Sequence, residues 1–110
     1  MADTSPQFLY RIVPARLEML VSGPTERERQ VIEAHSAHLE KLADEGVVLM
    51  AGRTIDTGVA TWGIVVFTAP SLAEAEIVMR SDPAIAEGVM RSELFPYRVA
   101  VWTGRCKPST

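Results

Sequence analysis

Between His35 and Gly52 the hydrophobic pattern of this chain changes its period, and no other stretch constrains the fold as tightly. Upstream, Val31, Ile32, Ala34, His35, His38, Leu39, Leu42 and Ala43 recur at the three-and-four spacing of one helix face. Arg27, Arg29, Glu33, Glu40, Lys41 and Asp44 fall on the opposite side. Downstream, Val47 to Gly52 is short, apolar and rich in strand formers. Gly46 stands between the two as a residue that can end a helix in the left-handed region. The same pattern puts an ionisable residue, His35, on the apolar face. Burial there is costly without a partner.

The remaining chain reads as punctuation around similar units. Phe8 to Val13 is β-branched and aromatic and predicts a strand that Pro14 ends or places at an edge. Leu17 to Val21 is apolar and fits either an extension of that strand after a bulge or a covering segment. Ser22-Gly23-Pro24 is a turn. Thr25 with Glu28 is a capping box, and Glu26 favours the first turn of a helix that runs to about Glu45. Arg53 to Thr61 is a polar connection marked by Asp56 and Gly58. Trp62 to Phe67 is the next strand. Ser71 with Glu74 repeats the capping pattern and opens a helix to about Arg80, with Leu72, Ala75, Val78 and Met79 inward. Asp82-Pro83 breaks it, because the residue before proline avoids the helical region. Pro83 to Glu87 adds one turn closed by Gly88. Arg91 to Trp102 is the last strand, with Pro96 marking an edge or a bulge.

The order β-α-β-β-α-β is that of a ferredoxin-like α+β domain, an antiparallel sheet with helices on one face. The second, third and fourth strands are apolar on both faces. A half-solvated sheet would not tolerate that. The expected cover is a second copy of the chain, giving a homodimer through the sheet face. Residues 1–110 are expected to form a single domain, with a core over about 8–102 and a polar tail over 103–110.

Composition narrows the partners. Eleven Lys and Arg against fourteen Asp and Glu give a net charge of −3. That is no footprint for nucleic acid, which calls for clustered basic residues. The longest apolar run, Gly63 to Phe67, is far short of a membrane span, and the start of the chain carries no basic-then-apolar leader pattern. The expectation is a soluble cytoplasmic protein with no membrane partner. The lone cysteine, Cys106, allows no internal disulfide and no thiolate metal cage, which fits a reducing compartment. It reads as an exposed thiol.

A few residues have the chemistry for a site. His35 suits a general acid or base between the first long helix and the sheet, since histidine titrates near working pH. A core histidine satisfied by one hydrogen bond fits the pattern as well. Asp82 suits an N-cap to the turn begun by Pro83. It equally suits a carboxylate that accepts the His35 ring N–H, fixes its tautomer and favours its charged form. Two oxygens allow both roles. His38, three residues after His35, could build half a metal site with it, but with no Cys or third His available the rest would need carboxylates such as Asp82 or Asp56. A pocket or subunit rim is the plainer place for it. Arg53 and Arg98 are candidates for an anionic substrate, with a surface or interface ion pair as the plainer reading of each. Gly52 would let a ligand approach the backbone, though turn chemistry also explains it. Trp62 and Tyr97 are expected in the core or the dimer interface. There is no glycine-rich phosphate loop, nucleophile elbow or zinc motif, so no cofactor and no metal are expected.

Taken together, four segments resemble the YCII-related domain family of the dimeric α+β barrel superfamily. They are His35 with Leu39 and Leu42, the passage from Glu45 to Gly52, Ser81-Asp82-Pro83-Ala84 with Gly88-Val89, and Glu93 to Val99. The resemblance spans about residues 8 to 102. It implies a His–Asp pair that falls on His35 and Asp82, with His38 off the family position. It also implies the sheet-to-sheet dimer. One relative is a dehydrochlorinase of a chlorinated hydroxyquinol, and the superfamily includes muconolactone isomerases. The implied activity is proton transfer on a small oxygenated substrate by a cofactor-independent lyase or isomerase. Arg53, Gly52 and His38, from the reading of the residues above, are the expected substrate contacts. A non-catalytic small-ligand-binding or accessory dimer is the alternative, and a purely structural dimer module is a third reading.

Overall fold

The structure is a computed structural model and describes residues 5–55 and 61–103. Four strands, β1 (Gln7–Pro14), β2 (Val48–Arg53), β3 (Gly63–Thr68) and β4 (Met90–Tyr97), pair antiparallel in the order β2-β3-β1-β4. The helices are α1 (Glu18–Val21), α2 (Glu26–Asp44), α3 (Leu72–Ser81) and α4 (Pro83–Ala86). They cover one sheet face, which is the expected ferredoxin-like α+β arrangement.

Strand alternation decides which side is the core. Phe8, Tyr10 and Ile12 of β1 point toward the helices, opposite Phe67, Val65 and Gly63 of β3. They pack with Val48, Ala75 and Met79 and with the half-buried Leu39 and Leu42. Phe67 is fully buried and lies edge-on to Tyr10, with ring centroids 5.6 Å apart. An aromatic pair in this geometry stabilises beyond its buried area.

The helix ends follow their sequence signals. Thr25 and Glu28 form both halves of the capping box, at 3.1 and 2.8 Å. Gly46 ends the helix connection at φ 79°, a conformation that a side chain would strain. The Ser71 side chain accepts from the Glu74 N–H at the start of α3.

Several expectations need correction. Ala34 and Ala43 are exposed. At 3.6 residues per turn they lie about 100° and about 80° around the helix from His35, outside the buried arc. Glu28 lies about 20° from His35 and is buried. Leu72 is exposed, because α3 docks through Ala75 and Met79 and its first turn carries no buried residue. The last strand stops at Tyr97 rather than Trp102. It is an edge strand whose sole partner among the described residues is β1, and Gln7↔Tyr97 is their final pair. Of the two readings of Leu17 to Val21, the strand extension is ruled out and the covering segment holds: residues 18–21 form the short helix α1, with Met19 buried. Of the two places expected for Trp62 and Tyr97, the core is ruled out, since both are exposed in the single chain.

The opposite sheet face carries Leu9, Met50, Ile64, Val66, Phe95 and Tyr97, and Met50, Phe95 and Tyr97 are substantially exposed. No helix among the described residues is long and apolar enough to cross a membrane. Cys106, Asp56, Gly58 and the tail from residue 104 lie outside the described residues.

Candidate functional site

Asp82 is fixed by local chemistry before it meets any distant residue. It is the last cap of α3 and the N-cap of α4, with extended backbone at φ −65°, ψ 123°. Pro83 enforces that conformation and supplies the first residue of α4. The Asp82 Oδ1 accepts the Ala84 N–H at 2.9 Å. The cap reading of this residue is therefore correct.

The pairing with His35 is present as well. His35, in the middle of α2, brings Nδ1 to 2.7 Å from Asp82 Oδ1 and 2.9 Å from Oδ2. A third residue joins them from β1. The Tyr10 hydroxyl donates to Asp82 Oδ2 at 2.6 Å. Asp82 is 0% exposed, Tyr10 1% and His35 9%. A strand, a helix and a helix cap thus converge on one buried carboxylate.

The electrostatics follow from that convergence. Burial works to raise the Asp82 pKa, but the hydrogen bonds from His35 and Tyr10, the His35 charge and the Ala84 N–H outweigh it. The carboxyl is held below the usual carboxylate range. Tyr10 is shifted upward, first by burial and then by the Asp82 charge and hydrogen bond, so it stays a donor. An ionised carboxylate only accepts, so the Asp82 contact assigns the proton of neutral His35 to Nδ1. Nε2 is left as the basic nitrogen.

His35 stands on the wall of a pocket of about 580 Å³ between α2 and the sheet. Ile32, Ser36 and Leu39 of α2 form the wall beside it, and Ile12, Gly63 and Val65 form the floor. Gly52 and Arg53 close the β2 side, and Met19 and Leu20 close the α1 side. A Cβ on Gly63 would sit 2.9 Å from the Gly52 carbonyl oxygen and 3.2 Å from Ile12 Cγ1, so this floor position has room only for glycine. The α1 wall is tied down by Arg16, which donates to both Glu28 oxygens at 2.8 and 2.7 Å. Glu28 is held down at about 2, mainly by the Arg16 hydrogen bonds.

The structure thus gathers His35, Gly52 and Arg53 around one cavity, with Asp82 directly behind His35. His38 is not on its wall; the His38 Nε2 is buried with no hydrogen-bond partner among the described residues. Arg98 lies elsewhere, beside Gln7 and Tyr97 at the far ends of β1 and β4. The ion pairs expected for Arg53 and Arg98 are not made among the described residues. Sequence reasoning missed Tyr10, Gly63, Met19 and Arg16. Of these only Tyr10 carried a signal, a tyrosine at an inward position of β1 whose hydroxyl would need a buried partner.

Comparison with known proteins places the chain. The family model described as YCII-related domain matches residues 8–99. Among solved structures, the chain resembles the 5-chloro-2-hydroxyhydroquinone dehydrochlorinase TftG of Burkholderia phenoliruptrix AC1100, in complex with 2,5-dihydroxybenzoquinone. The TM-score is 0.62 at 20% identity, over 84% of this chain and 93% of that one. At this identity the likeness establishes the shared fold. A "putative monooxygenase" from Shewanella loihica PV-4 aligns at a TM-score of 0.44 and 14% identity, over 91% of this chain and 100% of that one. No curated protein sequence matches the chain.

Proposed function

This chain belongs to the YCII-related domain family, and from that premise we propose a small cofactor-independent enzyme in which His35 and Asp82 move a proton on a small oxygenated substrate. The observation that carries the reading is the 2.7 Å contact between His35 Nδ1 and a fully buried carboxylate, with His35 itself on a pocket wall. His35 Nε2 takes the proton from substrate. Asp82 holds Nδ1–H and stabilises the imidazolium that forms, while Tyr10 and the Ala84 N–H keep Asp82 ionised. Returning the proton to a different atom makes an isomerase. Expelling a leaving group from the resulting anion makes a lyase. Gly52 and Arg53 are the proposed substrate contacts, because both line the pocket. His38 drops out of this reading, because it does not. The dehydrochlorinase of the same fold supports a small oxygenated ring as the kind of molecule to try first.

Residues 1–110 are taken as one domain acting as a homodimer. Support comes from the exposed Met50, Phe95 and Tyr97 on the uncovered sheet face.

The test is solvent deuterium exchange. Wild-type protein in D₂O should catalyse exchange into an activated C–H of small phenolic or lactone compounds, and His35→Ala should not. Exchange that survives His35→Ala removes the catalytic reading. Tight binding that also survives the substitution, with no exchange in either protein, favours the non-catalytic ligand-binding alternative, which uses the same largely apolar pocket. A purely structural dimer module would have no use for such a pocket.

A further inference from the structure

We propose that this pocket selects a compact, apolar-bodied anion, with Arg53 receiving a fixed negative group while the reacting proton faces His35. The inference rests on the proposed function and names the class of molecule that the same site takes.

Charge is the first argument. The chain carries an excess of acidic residues, yet among the described residues no Asp or Glu lines the pocket. The titratable lining among them is His35 and Arg53. The buried carboxylate Asp82 stands behind His35 and is already engaged by Tyr10, His35 and the Ala84 N–H. The described lining therefore offers a ligand cationic and neutral groups.

The second argument is that Arg53 is uncommitted. Arg11, Arg16, Arg27, Arg29 and Arg80 each have a carboxylate partner. Arg53 has none among the described residues. Its register explains where it is directed. Arg53 pairs with Gly63, which lies on the helix-facing side of β3, and the Arg53 Cβ is 3.5 Å from where a Gly63 side chain would begin. The missing side chain at Gly63 leaves the space beside Arg53 open to the cavity. Planar, charge-assisted pairing is what an arginine offers to a carboxylate.

The third argument is the rest of the lining. Ile12, Met19, Leu20, Ile32 and Leu39 give apolar walls, which bind a hydrocarbon or ring body and contribute nothing to charge selection. Discrimination by charge then falls on Arg53.

Benzoate, benzamide and benzamidine are near-isosteres with charges of −1, 0 and +1, so they separate charge from shape. Their affinities are read from the shifts of the His35 ring and the Gly52 and Gly63 amides, in wild type and in Arg53→Gln. The expected order is benzoate, then benzamide, then benzamidine, with benzoate favoured on the order of tenfold over benzamide. Arg53→Gln should abolish the preference for benzoate over benzamide. Raising the ionic strength should weaken benzoate alone. Equal binding of benzoate and benzamide, a preference that survives Arg53→Gln, or no response to any of the three overturns the proposal. If His35 and Asp82 prove coupled while the charge preference is absent, the inference fails and the catalytic reading stands. If the preference holds and the pair is uncoupled, the pocket is an anion site and the catalytic reading fails.

Discussion

Tyr10 and Asp82 stand 72 positions apart in sequence and are joined by a 2.6 Å hydrogen bond in the core. That bond makes the His35–Asp82 pair a three-residue chain. It also ties the inward face of β1 to the junction between α3 and α4. Tyr10→Phe keeps the ring packing on Phe67 and removes only the donor. Loss of a hydrogen bond to a buried charged group should cost about 1–3 kcal/mol in urea unfolding. The His35 ring ¹⁵N shifts should move too, because Asp82 then has one fewer competing donor. A variant equal to wild type in both measurements would mean that the hydroxyl has no role.

Stability should depend on pH in a defined acid window. Asp82 sits below its usual 3.8 in the folded protein, and Glu28 drops from 4.5 to about 2. For a depressed carboxylate the unfolded chain binds more protons through the interval between the two values. The stabilisation is complete above the unfolded value and drains as pH falls toward the folded one. Urea midpoints should therefore hold steady down to about pH 5 and fall below it. Glu28→Gln should flatten part of that fall. A midpoint that rises as pH falls below about 5 would contradict the depressed Asp82 and Glu28 carboxyls.

Gly63→Ala probes the pocket floor. The added Cβ meets the Gly52 carbonyl oxygen at 2.9 Å, and a backbone atom cannot rotate away. The substitution should cost about 1–3 kcal/mol and weaken benzoate binding, checked by thermal unfolding and the same amide shifts. Unchanged stability with unchanged binding would mean that this floor is not closed by Gly63.

Phe95→Lys addresses the uncovered sheet face. Phe95 pairs with Leu9 on the side away from the helices and is substantially exposed in the single chain. Light scattering should give a dimer for wild type and a monomer for the variant, with helical content preserved. A wild-type monomer at micromolar concentration would remove the homodimer from the account.

These residues also explain how far the sequence could be read. The helices α2, α3 and α4 and the first three strands are legible because each rests on local punctuation. Thr25 with Glu28, Gly46 and Asp82-Pro83 act within a few residues of themselves. What escaped depends on distance. Tyr10 reads as an ordinary inward aromatic until the sheet register sets it beside Asp82. Arg16 meets Glu28 only after α1 folds back, and four residues carry no period. β4 ends where β1 begins, a limit imposed by its partner and invisible in its own apolar composition. The family resemblance supplied the functional weight that pattern alone left open for His35.

The most direct measurement is the ¹⁵N NMR reading of the His35 ring tautomer in wild type and in Asp82→Asn. The expected result is a neutral ring protonated at Nδ1 in the wild type and loss of that tautomer preference in the variant. The same tautomer preference in both proteins would mean that Asp82 does not govern His35, and the proposed proton transfer would lose its basis.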